Sequence, residues 1–199
     1  MTNVELGAVA NDIDCPVWLF GDSYFGVGSN RIIGQLKNLG YADYCLIDGL
    51  AGQGSSGAYS DLEKLMALGG VPKMLIWCLG MNDNVSSYQT NLAKLKGLSE
   101  KYGFELILQK VPVVPARIEQ NTGVNVIVAE SGLRYIDAYK AVGADDTGTW
   151  YTDYLSSDKV HPSVNGAKAI ATRMLIDAPE IMQYGYRQGS AGGGISGDM

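Results

Sequence analysis

Five short apolar runs set the fold of this chain: PVWLFG (16–21), YCLIDG (44–49), KMLIWCLG (73–80), FELILQKV (104–111) and RYIDAY (134–139). Each has strand length and is continuous rather than alternating, the pattern of a strand covered on both faces. Helical patterns separate them: SNRIIGQLKNLG (29–40), SDLEKLMALGG (60–70), SSYQTNLAKLKGLSEKYG (86–103) and NTGVNVIVAESGL (121–133), with SVNGAKAIATRMLIDAP (163–179) after Pro162. Strand and helix in alternation build right-handed crossover units, so the fold class is α/β with a parallel sheet of about five strands.

Composition narrows the partners. The 199 residues are 46% hydrophobic and 18% charged, enough for one domain with a substantial core. We expect that domain to span residues 1–188, with its core at about 15–177, and the Gly/Ser-rich stretch GSAGGGISGDM (189–199) to be a flexible tail or linker. A net charge of −6 with no basic cluster argues against a nucleic-acid partner. No uninterrupted apolar segment reaches membrane-spanning length, so no membrane insertion is expected. The first residues lack the charged and apolar regions of a signal peptide, which leaves the cytoplasm as the default, or the exterior for an excised or processed module. Cys15, Cys45 and Cys78 have no C-x-x-C spacing, and Cys45 and Cys78 sit in apolar runs, so neither a disulfide nor a metal site is expected.

In an open α/β sheet the functional residues lie in the loops beyond the C-terminal strand ends. The loop after the first run holds GDS, with Ser23 placed either as a nucleophile or as a helix cap. The sequence is not the G-x-S-x-G elbow of α/β-hydrolases, because Phe25 stands at its second glycine. The loop after the third run is LGMND, where the Asn82 amide can donate to an oxyanion or simply close an Asx-turn. The one histidine, His161, lies three residues after Asp158 in SSDKVHPS, close enough for the carboxylate to hold Nδ1–H and leave Nε2 as a base. Asp158 serves equally well as a helix cap near Pro162.

Together, GDS near the N-terminus, a second-loop glycine, G-x-N-D after the third run and D-x-x-H-P near the C-terminus resemble the SGNH (GDSL-type) hydrolases, in the family's order and over residues 15–177. The resemblance implies a flavodoxin-like three-layer α/β/α fold and a serine esterase needing no cofactor. It implies Ser23 as nucleophile, His161 as base and Asp158 as its orienting residue. The backbone N–H groups of Ser23 and Gly52 and the Asn82 side chain would form the oxyanion hole. Met81 stands where the family favours small residues and is expected to narrow the pocket mouth. Tyr24, Asp83, Trp150, Tyr151 and Val160 are candidates for substrate contact, and a short acyl ester, such as an acetyl group on a carbohydrate, is the expected substrate. A lysophospholipase or thioesterase of the same family is the alternative.

Two readings from other classes compete. GQGSSG, with Gly52, Gly54 and Gly57, matches the G-x-G-x-x-G dinucleotide fingerprint, with Asp83 as its acidic partner. It leaves GDS and D-x-x-H-P without a role. If the fingerprint is coincidence, Gly54 and Gly57 are turn residues leading to a helix at Tyr59. A non-catalytic binding module on the same fold is the second rival.

Overall fold

The structure, a computed structural model, describes residues 15–26, 31–41 and 45–182. The 189–199 tail, the residues before Cys15, Ser29 and Asn30 of the first expected helix, and Tyr44 of the second apolar run lie outside the described residues. The apolar runs form five parallel strands, β1 (Val17–Gly21), β2 (Cys45–Gly49), β3 (Met74–Cys78), β4 (Glu105–Lys110) and β5 (Tyr135–Asp137), in the order β2-β1-β3-β4-β5. Leu19 lies opposite Ile47 on one side and Ile76 on the other, and Ile76 in turn faces Ile107. Every residue of β1, β2 and β3 is buried, as two covered faces require. Each such Leu or Ile contributes about 2 kcal/mol of apolar burial.

The helices are α1 (Ile32–Asn38), α2 (Ser55–Ala67), α3 (Val85–Tyr102), α4 (Ile118–Glu130), the single turn α5 (Ala138–Ala141) and α6 (Val164–Asp177). α1 packs with α6 and α6 with α5, while α2 packs on α3 and α3 on α4, giving a helical layer on each side of the sheet. The architecture is the α/β fold expected from the sequence. Because β2 and β3 flank β1, the strand order reverses at β1, and a crevice opens beyond its C-terminal end.

Three element boundaries differ from expectation. α2 starts at Ser55, not Ser60, so Gly54 is its N-cap and Gly57 lies in its first turn. α4 begins at Ile118, directly after a 3-10 turn at Pro115–Arg117, instead of Asn121. β5 stops at Asp137 because the Asp137 side chain accepts from the Lys140 amide and caps α5.

Asp48 is fully buried on β2, and neither of its carboxylate oxygens has a hydrogen-bond partner among the described residues. Burial, with the nearby Asp61 charge, raises its pKa to about 6. The folded state therefore holds a proton that the unfolded chain releases near pH 4, and stability falls as pH rises between those values. Asp48→Asn is expected to remove that contribution, up to about 3 kcal/mol by pH 7. Urea titrations at pH 4.5 and pH 7.5 check it: the variant's stability relative to the wild-type chain should rise between the two, and an unchanged difference contradicts the assignment.

Candidate active site

β1 carries its chain into the crevice through Gly21 and Asp22, and a 3-10 turn follows at Ser23–Phe25. The Asp22 side chain caps that turn by accepting from the Tyr24 amide at 2.9 Å. Burial, opposed by this hydrogen bond and assisted by the Asp83 charge, raises the Asp22 carboxyl to about 7. Phe25, which excluded the nucleophile elbow, is buried; its backbone lies so close to Gly49 that a Cβ there would collide with it. Ser23 is thereby fixed at the sheet edge, half-buried, and its own amide is engaged by no hydrogen bond among the described residues.

The histidine arrives from the opposite end of the chain. Leu155 and Pro162 form an isolated antiparallel bridge, and the Ser156 amide donates to the His161 carbonyl at 2.9 Å. Ser163 then caps α6 by accepting from the Gly166 amide at 3.2 Å. Within this closed loop His161 Nε2 lies 2.8 Å from Ser23 Oγ, and Nδ1 lies 2.7 Å from Asp158 Oδ2. Asp158 Oδ1 accepts from Ser156 Oγ at 2.6 Å and from the Val160 and His161 amides at 2.9 Å. Desolvation pushes the Asp158 carboxyl up, but the hydrogen bonds from Ser156 and from the His161 amide and ring, with that of Val160, outweigh it and hold the group well below the usual carboxylate range. An ionised carboxylate only accepts, so Nδ1 carries the ring proton and Nε2 is left to accept from the serine hydroxyl.

The second and third loops meet beside the serine. Leu50 to Gln53 form a turn closed by the Gln53 amide on the Leu50 carbonyl at 3.1 Å, with Gly52 at φ +75°, a conformation an L side chain resists. The Gly52 amide, like that of Ser23, has no partner among the described residues. Asn82 Nδ2 donates to the Gln53 carbonyl at 3.1 Å, which orients the amide and leaves its second N–H available.

The next residue, Asp83, explains the glycine-rich stretch. Its carboxylate accepts from the Ser55 amide at 2.9 and 3.0 Å and from Ser55 Oγ at 2.6 Å. Asn91 Nδ2 completes the network by donating to the Ser55 and Ser56 hydroxyls, each at 2.8 Å. The α2 N-terminus, where a dinucleotide fold would seat a pyrophosphate, is occupied by this carboxylate. That fills the position the dinucleotide reading needs and removes Asp83 from the substrate-contact set: it is buried and caps α2 from across the loop.

Two other expected contacts, Trp150 and Tyr24, turn inward. Trp150 is 8% exposed, and its indole N–H donates to the Val113 carbonyl at 2.7 Å, so it pins the loop before His161 to the segment after β4. Tyr24 is buried under the histidine, its ring centroid 5.9 Å from the imidazole, with its hydroxyl donating to the Val160 carbonyl at 2.5 Å. Val160 enters through that carbonyl. Met81 is buried. Tyr151 is 60% exposed, edge-on to Tyr154, and its ring packs on Gly143. Ser156, Ser55, Gln53 and Asn91 were not singled out from sequence. Only Ser156, two residues before Asp158, left a local signal, a serine placed to bond a nearby acidic side chain.

Among the described residues no group of His, Cys, Asp and Glu side chains is placed to hold a metal ion, and no helix is long and apolar enough to cross a membrane. No protein-family model and no curated protein matches the sequence. Solved structures do share the fold. A GDSL-like lipase from Bacteroides thetaiotaomicron superposes with a TM-score of 0.66 at 15% identity, over 85% of this chain and 89% of that one. TesA gives 0.64 at 18% identity, over 83% and 98%. Axe2, an acetylxylan esterase from Geobacillus stearothermophilus, gives 0.59 at 18% identity, over 81% and 92%. The chain therefore has the fold of the GDSL-type lipases and esterases.

Proposed function

We propose that the chain is a serine esterase hydrolysing short acyl esters, acetyl groups on carbohydrate above all. The observation that carries the reading is the unbroken relay from Ser23 Oγ through His161 to Asp158, at 2.8 and 2.7 Å, at the strand-order reversal. His161 Nε2 takes the hydroxyl proton as Ser23 Oγ attacks the ester carbonyl. The amides of Ser23 and Gly52 and the second Asn82 N–H stabilise the oxyanion of the tetrahedral intermediate. The imidazolium then protonates the departing alcohol, and a water deprotonated by His161 releases the acid and restores Ser23. No step calls for a cofactor.

The preference for carbohydrate is supported by Tyr151, whose exposed ring in the loop leading to His161 suits stacking on a sugar, and by the shared fold with an acetylxylan esterase. A panel of 4-nitrophenyl esters from acetyl to dodecanoyl, followed by acetate release from acetylated xylan, tests it. Highest kcat/KM at acetyl, with acetate released from the polymer, is the expected result. A maximum at octanoyl or longer would transfer the assignment to a long-chain acyl hydrolase or thioesterase.

A further inference from the structure

Four arginines fall among the described residues, and they divide into two kinds. Arg134 is ion-paired to Glu105 and Glu180, and Arg173 to Asp177. Arg31 and Arg117 have no carboxylate partner among the described residues, although the chain carries a net charge of −6. Both unpaired guanidinium groups act on the same residue, Tyr24, immediately after the nucleophile. Arg31 has a buried Nη1 with no hydrogen-bond partner among the described residues.

Arg117 is the better placed of the two. It is half-buried, and its Nη1 donates to the Met81 carbonyl at 2.9 Å, which fixes it beside the peptide leading into Asn82. Its backbone is held by the 3-10 turn, with its amide on the Val114 carbonyl at 3.0 Å, and the Trp150 bond to Val113 anchors the same segment. No other guanidinium N–H of Arg117 has a protein partner among the described residues. Asp22 is the carboxyl that feels its charge, yet Asp22 is buried, forms no ion pair with it and has its pKa raised to about 7. A half-buried cation anchored at one N–H, with open donors and no counterion among the described residues, next to the candidate oxyanion donor, is suited to receive an anion.

We propose that Arg117 holds an anionic group of the substrate, a carboxylate or phosphate carried on the acyl or the alcohol part of the ester, with Arg31 adding to the local positive potential. The proposal rests on the esterase reading above. It predicts that the natural ester is acidic: a hemiester, or an acyl group on an acidic alcohol such as a uronate or a sugar phosphate.

The test compares isosteric pairs: 4-acetoxybenzoate with its methyl ester, 4-acetoxyphenyl phosphate with 4-acetoxyanisole, and mono-4-nitrophenyl glutarate with 4-nitrophenyl valerate. The wild-type chain should favour the anionic member of at least one pair by about tenfold in kcat/KM, and the preference should weaken in 0.5 M KCl. The pair that responds locates the anion and tells carboxylate from phosphate. Arg117→Gln, which removes the charge and is too short to reach the Met81 carbonyl, should lower kcat/KM on the anionic ester by about tenfold more than on its neutral partner. Lys168→Gln on α6, an equal charge change on an exposed residue, should leave the preference intact. The absence of any wild-type preference, or equal loss on anionic and neutral esters in Arg117→Gln, overturns the proposal. The esterase reading fails separately, if Ser23→Ala turns over the neutral esters as well as the wild-type chain does.

Discussion

Ser23→Ala is expected to lower kcat for a short-chain ester by at least about 10⁴-fold, and His161→Ala by a similar factor. In the proposed mechanism the two residues, 2.8 Å apart, share one proton transfer, so either loss removes the same step. The double variant should therefore be no slower than the worse single one, because members of one relay are grossly non-additive. The chain has no second histidine to substitute as base. Asp158→Asn should fall between the wild-type chain and these variants: it keeps the shape but takes away the ionised acceptor that holds Nδ1–H. Steady-state kinetics on 4-nitrophenyl acetate checks the series. Additive losses in the double variant would show that the serine and the histidine do not share a step.

Asn82→Ala should cost about 10²–10³-fold in kcat with little change in KM, the mark of a donor that acts on the oxyanion rather than on bound substrate. Asn82 also bonds the Gln53 carbonyl at 3.1 Å, so a structural effect must be told apart from a catalytic one. Thermal unfolding separates them. Loss of one part-buried hydrogen bond shifts stability by about 1 kcal/mol, far less than the predicted barrier increase. Asn82→Asp is the sharper probe, since it keeps the size but sets a negative charge against a developing one, and it should be slower still. A parallel loss of Tm and activity, or a rise in KM alone, contradicts the oxyanion role.

What was legible in the sequence follows the range of the interactions. The strands announced themselves because each buried strand needs a continuous apolar run and nothing else. Ser23, Asn82, Asp158 and His161 were visible because each sits next to a strand end or within three residues of its partner. The α2 start was misplaced because Gly-Gln-Gly-Ser-Ser-Gly has turn composition. The cap that begins the helix at Ser55 comes from Asp83, 28 residues away, which no local pattern reveals. Tyr24 and Trp150 read as substrate contacts for the same reason, since an aromatic ring near a candidate catalytic residue gives no sign of whether its polar atom finds a distant carbonyl. Here both do, on Val160 and Val113. Arg117 gives no sequence signal because its meaning lies in the ion pair it lacks among the described residues, a property of the folded surface.

The central claim is that Ser23 is an activated nucleophile. It is tested most directly by incubating the chain with a fluorophosphonate and mapping the adduct by peptide mass spectrometry. The account predicts one added phosphonyl group, on the peptide containing Ser23, absent in Ser23→Ala and formed far more slowly in His161→Ala. A chain that stays unlabelled, or that carries the group on another residue, would contradict it.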